Sequence, residues 1–393
     1  MLPKQEMWVR FPSPALKKIM RLSDILKKTG KKTPASPAGR PDSPPDLRKE
    51  NPTPEPEIQF PEHEKARIAH ASVEKIPVLA PEEVYNRAIT EAKSLVEHIE
   101  NKTPYTGRIE SVQEIIELVE DNNGDITILA DKATPDLYLY SHMVNVCIFS
   151  LILGNQAGFR GQALKELGYC AFLHDIGLVR NIPLIIKKGK LTPAEFNLVK
   201  QHSQSGSELV PLAAGLAPEI RESAGNTILQ VHERVDGKGY PLGIRGKDIS
   251  QFAKTIAVAD VYEALTHPRP YRDRFIPHEA LKMMITSADS DFDTVILKAF
   301  IEKISLYPPG SYVRLNSEEV AKVIRMNPGM PTRPAVKVLV SPKGIRVAEN
   351  KVIDLSNTPM LFIKEPVDET KMELSDKRLA LELKAVRWWV KGL

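Results

Sequence analysis

Histidine and aspartate residues inside apolar segments constrain the fold of this chain more than any other feature. The stretch Phe252–Leu265 is apolar apart from a few positions, yet Asp260 lies within it. A buried, ionised carboxylate costs several kcal/mol unless it is paired or bound to a cation. His142 opens another apolar segment, and the adjacent pair His174-Asp175 follows a third. The chain must therefore fold so that these polar side chains have partners.

Apolar residues at helical spacing between residues 81 and 306 predict a mainly α fold. The spacing predicts helices at Glu82–His98, Ile109–Val119, Ala163–Leu173 and Phe252–Leu265. Thr192-Pro-Ala-Glu195 is a capping box with proline at the first helical position, which predicts a helix start. We expect this last helix to carry His202 in its third turn.

The pattern changes after Tyr307-Pro-Pro-Gly310 to short alternating segments, which predict a small C-terminal antiparallel β appendage. Its expected strands are Tyr312–Leu315, Val320–Arg325, Val336–Val340 and Ile345–Val347. The stretch Leu374–Val390 predicts an amphipathic helix with Trp388 and Trp389 near its end. Such a helix is typical of a docking element.

Proline is concentrated at the start of the chain, where 12 of the 32 prolines fall within the first 61 residues. Proline disrupts hydrogen-bond ladders, and a polar, proline-rich composition cannot form a core, so this segment is predicted to be a disordered tether. The expected domains are the tether at 1–62, an N-terminal helical region at 63–135, a core domain at 136–306, the β appendage at 307–358 and a tail at 359–393.

Composition excludes several classes of protein. The net charge is +4, from 54 basic and 50 acidic residues, and gives no reason to expect binding to nucleic acid or to a membrane surface. Cys147 and Cys170, the two cysteines of the sequence, lie in apolar patterns, so we expect buried thiols rather than a disulfide. No apolar run reaches the roughly 20 residues that a spanning helix needs, and no secretory leader is evident. A cytoplasmic protein is expected.

The candidate site contains four histidines and two aspartates on separate elements, apart from one adjacent pair: His142, His174, Asp175, His202, His232 and Asp260. Nitrogen and oxygen ligands without thiolate suit Fe, Mn or Zn and argue against a structural zinc site. Bound ions of this kind lower the pKa of a water molecule and neutralise charge on a phosphoryl oxygen. The residues therefore point to metal-dependent phosphodiester hydrolysis.

The chain resembles the HD-GYP family, bacterial hydrolases of cyclic di-GMP within the wider HD phosphohydrolase group. The resemblance covers roughly residues 137–354. It rests on His174-Asp-Ile-Gly177, on His232-Glu-Arg-Val-Asp-Gly-Lys-Gly-Tyr-Pro241, and on Val258-Ala-Asp-Val-Tyr-Glu-Ala-Leu-Thr266 followed by Arg269-Pro-Tyr-Arg272. It implies an HD-type helical bundle.

The resemblance also implies roles for individual residues. One divalent ion would be held by His142, His174, Asp175 and Asp260, and a second by His202 and His232, with Asp175 as the catalytic carboxylate that bridges the two ions. Fe and Mn are favoured and Zn is compatible. The expected substrate-binding residues are Arg269, Arg272, Lys238, Gly239 and Tyr240, and arginine suits phosphate through its forked geometry. The Gly239–Pro241 loop is also associated with partners such as diguanylate cyclase domains, and oligomerisation is left open.

Three positions depart from the family pattern. Val231 stands where a histidine usually precedes His232, which removes an expected ligand of the second ion. Leu178 replaces a lysine that follows His-Asp-Ile-Gly, and Tyr138 stands where a glutamate holds a third ion in some members. Two ions are therefore expected rather than three, with the second site depleted.

Two classes of function follow. An active cyclic di-GMP phosphodiesterase is favoured by the intact pair, His232 and Asp260. A catalytically impaired relative, acting as a nucleotide sensor or a protein-interaction scaffold, is favoured by Leu178 and Val231. A hydrolase of another nucleotide is a third reading, and Arg269 and Arg272 have the simpler reading of surface ion pairs. His267 and His278 are expected to be structural.

Overall fold

The computed structural model describes residues 80–121, 130, 138–327, 329–347, 351–372, 377–379 and 383. All of them lie in a compact unit that includes Leu79–Leu393. The predicted tether at 1–62 lies outside the described residues. The predicted domain limits stay predictions, except that the sheet extends beyond residue 358, where the appendage was expected to end.

The described part of the chain up to residue 304 is helical, as the spacing predicts. Its α-helices are α1 Pro81–Glu100, α2 Ser111–Glu120, α3 Tyr138–Gln156, α4 Gly161–Leu173, α5 Ile182–Ile185, α6 Pro193–Lys200, α7 His202–Leu209, α8 Pro218–Ile228, α9 Gln251–Thr266, α10 Pro277–Thr286, α11 Ala288–Asp291 and α12 Thr294–Ile304.

Helix α3 forms the centre of the bundle. It is apolar on nearly all sides and packs against α1, α2, α4, α9 and α12, so most of its residues are buried. Helix α9 is similarly buried along most of its length. Polar residues on these two helices, His142 on α3 and Asp260 on α9, therefore face other helices instead of water.

The placement of His202 differs from the prediction. The helix that begins after the Thr192 capping box ends at Lys200, and His202 opens α7 instead of extending α6. A capping box marks only where a helix begins. Gln201 separates the two helices, and while α6 has no fully buried residue, α7 buries His202, Ser203 and Ser205.

The β appendage is a five-stranded antiparallel sheet with the order β4-β3-β2-β1-β5. Its strands are β1 Tyr312–Leu315, β2 Val320–Arg325, β3 Ala335–Val340, β4 Val352–Asp354 and β5 Ile363–Val367. The first three predicted strands are confirmed. The predicted strand Ile345–Val347 is wrong, because this segment folds back tightly on the end of β3 and makes one isolated bridge, between Arg346 and Val340.

The sheet continues beyond residue 358, where the appendage was expected to end, because β5 pairs with β1. The predicted C-terminal helix lies partly outside the described residues, as do Trp388 and Trp389. Of its described residues, Leu379 and Leu383 are helical and buried against one face of the sheet, with Tyr312, Val320, Val340 and Val367. This part of the tail therefore docks on the sheet.

Two general expectations can be compared with the described residues. Cys147 on α3 and Cys170 on α4 are buried and unbonded to each other, as predicted. Among the described helices, none combines the length and the apolarity that crossing a bilayer requires.

Candidate metal centre

The His174-Asp175 pair lies at the C-terminal end of α4, where His174 caps the helix and a 3₁₀ turn, Ile176–Asn181, follows. Gly177 in this turn lies directly against α7. A Cβ atom at this position would lie 2.0 Å from the carbonyl oxygen of His202 and 2.6 Å from the nitrogen of Gly206. Because only glycine allows this contact, Gly177 brings α7 and its histidine to Asp175.

The first group of potential ligands contains His142, His174 and Asp175, whose ligand atoms all lie within 4.8 Å of one another. His142 Nε2 lies 3.2 Å from Asp175 Oδ2, and His174 Nε2 lies 3.6 Å from Asp175 Oδ1. Asp260 Oδ1 lies 3.3 Å from His142 Nε2, but it does not lie within 4.8 Å of all three of these ligand atoms. The structure thus brings together the four residues expected around one ion.

The second group contains Asp175, His202 and His232, whose ligand atoms also lie within 4.8 Å of one another. The Nε2 atoms of His202 and His232 lie 2.8 Å apart, and both face Asp175 Oδ1, at 3.3 and 3.9 Å respectively. Asp175 belongs to both groups, with one oxygen toward His142 and the other toward His202. Its carboxylate is therefore shared by the two groups of potential ligands.

The outward ring nitrogens fix the orientation of three imidazoles. His174 Nδ1 faces the Ala171 carbonyl at 2.8 Å, and His202 Nδ1 faces the Val199 carbonyl at 2.6 Å. His142 Nδ1 lies 2.5 Å from Glu263 Oε2. Since carbonyl and carboxylate oxygens only accept, each Nδ1 carries a proton, and when such a ring loses its second proton the Nε2 lone pair faces the centre. Metal-ligating histidines have this arrangement.

Two buried polar atoms at the centre also fit a cation. His174 Nε2 and Asp175 Oδ1 are inaccessible to water and have no hydrogen-bond partner among the described residues. Buried polar atoms normally have a partner, because leaving one unpaired costs roughly 1–3 kcal/mol. The donor set is nitrogen and oxygen alone, which suits Fe, Mn or Zn. The residues present therefore fit divalent ions.

The charged groups shift one another's pKa values. Burial alone lowers the pKa of His142, but the charge of Glu263 and the contacts with Asp175 and Asp260 outweigh burial and hold that pKa well above its ordinary value. Burial raises the pKa of Asp175, whereas the imidazoles, His174 foremost, lower it well below its ordinary value. A proton on His142 thus balances carboxylate charge that a metal cation would otherwise balance.

The loop after His232 closes over that histidine. Glu233 is buried, and its Oε1 accepts hydrogen bonds from the backbone N–H groups of Leu242, at 2.6 Å, and Gly243, at 2.9 Å. A Cβ atom at Gly239 would lie 2.3 Å from the Cα of Glu233, so the loop needs glycine there. Tyr240 stacks on the His232 ring with centroids 5.0 Å apart. Burial also lowers the pKa of His232 to about 4, which leaves its ring neutral and able to bind a metal ion.

The expected substrate-binding cations lie in different surroundings. Arg269 is buried beside Glu263, its Nη2 donates to Glu263 Oε2 at 2.9 Å, and its guanidinium lies 4.4 Å from the centroid of the Tyr138 ring. Its Nη1 is buried without a hydrogen-bond acceptor among the described residues. The reading of Arg269 as a surface ion pair is therefore wrong.

The other two expected substrate-binding cations are Arg272 and Lys238. Arg272 donates to the carbonyls of Ala264 and Leu265 in the last turn of α9, so its visible role is to cap that helix. Lys238 is exposed and pairs with Asp236 at 3.1 Å. A role for either residue in substrate binding stays a prediction.

Glu263 and Asn145 were not predicted from the sequence as part of the site. Glu263 contacts His142, and Asn145 donates a hydrogen bond to Glu263. Glu263 lies three residues after Asp260 on the same face of α9, as Asn145 lies three residues after His142 on α3. This spacing from a predicted ligand was the available signal. His267 is buried and its Nδ1 lies 3.0 Å from the Glu263 carbonyl, which makes it structural as expected.

Two of the three departures from the family pattern are apolar core residues. Val231 is 1% exposed and Leu178 is 5% exposed. Neither side chain can bind a cation or a phosphate. The second group therefore consists of three potential ligands, and Val231 does not supply a fourth.

Comparison with known proteins matches two parts of the chain to described families. Residues 130–296 match the HD domain, and residues 312–375 match the KOW domain associated with HD domain. Over 245 residues the chain is 33% identical to the cyclic di-GMP phosphodiesterase PA4108 of Pseudomonas aeruginosa, an alignment that covers 62% of this chain and 58% of that protein.

Two further relatives are informative. The cyclic di-GMP phosphodiesterase PdeB of Borreliella burgdorferi is 28% identical over 248 residues, covering 62% of this chain and 64% of PdeB. The 3'3'-cGAMP-specific phosphodiesterase 1 of Vibrio cholerae is 32% identical over 148 residues, covering 37% of this chain and 33% of that protein. The chain spans less than two thirds of the length of each relative named here. The matches confirm the resemblance drawn from the motifs: residues 130–296 are similar to the HD domain, and residues 312–375 are similar to the KOW domain associated with HD domain.

Proposed function

We propose that the chain is a metal-dependent phosphodiesterase that hydrolyses cyclic di-GMP by attack of water. The observation that carries the proposal is the pair of ligand groups that share Asp175. The names of the relatives in Pseudomonas aeruginosa and Borreliella burgdorferi support cyclic di-GMP as the substrate.

The distances between the potential ligand atoms support a proposal for the metal ligands. His142, His174, Asp175 and Asp260 would hold one ion, and Asp175, His202 and His232 would hold a second. Bound divalent ions supply positive charge for the phosphoryl oxygens and activate water as the nucleophile. Fe or Mn is favoured by the mixed imidazole and carboxylate set, and Zn is compatible with it.

Arg269 is the best-supported phosphate-binding residue. The Glu263 carboxylate and the Tyr138 ring fix its guanidinium, while Nη1 keeps an N–H group for an acceptor that the described residues do not supply. A phosphate oxygen of the substrate would satisfy it, and a charge-assisted hydrogen bond of this kind is strong in a buried site. Tyr240 and Gly239 would shape the opposite side through the loop over His232.

A second candidate is a protein that binds the nucleotide without hydrolysing it, as a sensor or as a scaffold for diguanylate cyclase domain proteins. The apolar, buried Val231 and Leu178 favour it, because they remove an expected ligand and an expected phosphate contact. A third candidate is hydrolysis of another cyclic dinucleotide, which the 3'3'-cGAMP-specific relative favours.

The decisive experiment measures hydrolysis of cyclic di-GMP and of 3'3'-cGAMP by the full chain, purified under reducing, anaerobic conditions, with metal counted in the same sample. The variant Asp175→Ala removes the shared carboxylate, and Asp248→Ala, at an exposed position that belongs to neither ligand group, is the matched control.

We expect about two ions per chain, as a dinuclear site requires, turnover in the wild type and the control, and no turnover in Asp175→Ala. Bound cyclic di-GMP without turnover in the metal-loaded wild type would reject hydrolysis and favour the sensor. Turnover of 3'3'-cGAMP alone would reject the proposed substrate.

A further inference from the structure

The Glu263 carboxylate connects the candidate metal centre with the candidate phosphate-binding arginine. Glu263 is 1% exposed and lies on α9 behind the metal ligands. Its Oε2 contacts His142 Nδ1 at 2.5 Å and Arg269 Nη2 at 2.9 Å. Its Oε1 accepts a hydrogen bond from Asn145 Nδ2 at 3.3 Å and lies 3.5 Å from His267 Nδ1. One carboxylate therefore contacts four polar groups and forms hydrogen bonds with three of them, His142, Arg269 and Asn145.

We propose that Glu263 is a positioning residue that orients His142 for metal binding and Arg269 for phosphate binding at the same time. The part that concerns Arg269 rests on the proposed function. The part that concerns His142 requires only that the ligand groups bind divalent ions.

The first argument concerns His142. Its two ring nitrogens have different partners: Nδ1 faces Glu263, and Nε2 faces Asp175 and Asp260 at 3.2 and 3.3 Å. With the Nδ1 proton held by Glu263, the Nε2 lone pair points to the metal ligands and the ring cannot rotate. Hydrogen bonds of this kind also raise the basicity of a ligating imidazole.

The second argument concerns the chemistry of the groups around Glu263. All four of its neighbours present an N–H group. Asn145 accepts from the Tyr85 hydroxyl at 3.0 Å through Oδ1, which leaves its amide N–H₂ toward Glu263. His267 Nδ1 faces the Glu263 backbone carbonyl and so carries the proton. The Glu263 carboxylate can accept from His142, Arg269 and Asn145, whereas the N–H₂ group of a glutamine would oppose at least one of these donors.

The third argument concerns Arg269. Its guanidinium lies between the Glu263 carboxylate and the Tyr138 ring, and Tyr138 also stacks on His142 with ring centroids 6.1 Å apart. A buried cation needs a fixed counter-charge. Glu263 supplies that charge through its contact with Arg269 Nη2. Because the guanidinium group of arginine is rigid and planar, this contact also fixes the direction of Nη1. Movement of Glu263 would therefore move both His142 and Arg269.

The experiment is a titration of the metal-free full chain with Co²⁺ alone, followed by its visible absorption, which reports the ligand geometry of each ion. The variants are Glu263→Gln, which keeps the shape and removes the charge, and Glu263→Asp, which keeps the charge and withdraws it by one methylene. Glu279→Gln, at an exposed position on α10, is the control. His142→Ala and His202→Ala assign the two ions to their ligand groups.

We expect both Glu263 variants to lose about 10- to 100-fold in affinity for the ion beside His142, the usual effect of removing such an outer partner. The ion held by His202 and His232 should bind as in the wild type and in Glu279→Gln. Wild-type Co²⁺ affinity at both sites in both variants would overturn the proposal. An equal loss at the two sites, with a lower melting temperature, would also overturn it, since that result indicates a purely structural role.

The role of Arg269 is tested with kinetics on the manganese-loaded protein. With metal saturating, Glu263→Asp should raise KM for cyclic di-GMP, and Arg269→Lys in the same chain should add little further, because the two changes act on one contact. Fully additive effects would overturn this part. If the wild type loads two ions but hydrolyses no cyclic dinucleotide, the proposed function fails, while the Co²⁺ titration still decides the role of Glu263 toward His142.

Discussion

At the scale of single residues, the site is a set of buried groups that balance one another's charge. Asp175 and Asp260 have lowered pKa values because imidazoles face them, despite the opposing effect of burial. His142 and His202 have raised pKa values because carboxylates face them, again against burial. Protons on these two imidazoles occupy the positions where a metal ion needs lone pairs. Metal binding and proton release are therefore coupled.

We predict that metal-free protein releases protons when it binds Mn²⁺ at pH 7. Calorimetric titration in two buffers of different ionisation enthalpy measures the number released, and His142→Ala should release fewer. The pKa of His142 is raised in the folded state, so its contribution to stability is complete below the unfolded pKa of about 6.5 and is lost as pH rises through the folded value. Metal-free protein should accordingly lose stability above neutral pH. Mn²⁺ binding without proton release would contradict this account.

The cysteines allow a second prediction at this scale. Burial raises the pKa of Cys147 above its ordinary value and that of Cys170 to about 11. The thiolate is the reactive form, so both thiols should be inert toward a disulfide reagent near neutral pH. A colorimetric thiol assay should detect two thiols in denaturant and almost none in the native protein. Rapid labelling of the native protein would show that these helices open.

At the scale of elements, spacing predicted several of the helices, among them α1, α4 and α9, but not how they pack against one another. The apolar pattern of α4 predicted its end at His174-Asp175, because side chains of one helix face follow a simple period. The contact between Gly177 and α7 could not be predicted, since it depends on a backbone approach between segments 25 residues apart in sequence. The six expected ligands were predicted from the sequence and the motif resemblance. Glu263 was recognised as part of the site only from its contacts, because these join segments that are far apart in sequence.

The Gly177 contact gives a prediction for α7. In Gly177→Ala the new methyl group would collide with the His202 carbonyl, so the 3₁₀ turn and α7 must separate. We expect a loss of about 1–3 kcal/mol in the free energy of unfolding, typical of overpacking. The affinity for the ion beside His202 should fall more than the affinity for the ion beside His142.

The matched control is Gly225→Ala on α8, where a Cβ would meet Ser207 Oγ at an ordinary 3.4 Å. This change should leave metal affinity unaffected and should not destabilise the protein, because alanine favours a helix over glycine by about 1 kcal/mol. Urea denaturation and Co²⁺ titration of both variants provide the measurements. Equal behaviour of the two variants would exclude the Gly177 contact as the element that positions α7.

At the scale of the whole molecule, the sheet is attached to the segment that carries the arginines. Glu369, just beyond β5, is buried, and its Oε1 lies 2.7 Å from Nη2 of Arg274. Arg274 follows Arg272 by two residues, between α9 and α10. The end of the sheet therefore restrains the segment between Arg269 and α10. This ion pair connects the two matched regions of the chain.

This connection leads to the prediction that Glu369→Gln destabilises the molecule, whereas Glu365→Gln does not. Both glutamates pair with an arginine. The pair on β5 is exposed to solvent, with Glu365 Oε1 2.9 Å from Arg314 Nε. An exposed pair contributes about 0–1 kcal/mol, while loss of a buried hydrogen bond to a charged group costs roughly 1.5–3 kcal/mol. Urea denaturation of the two variants measures the difference. Because Arg274 lies in the same segment as Arg269, Glu369→Gln should also raise KM for cyclic di-GMP; equal stability of the two variants would show that the sheet does not restrain this segment.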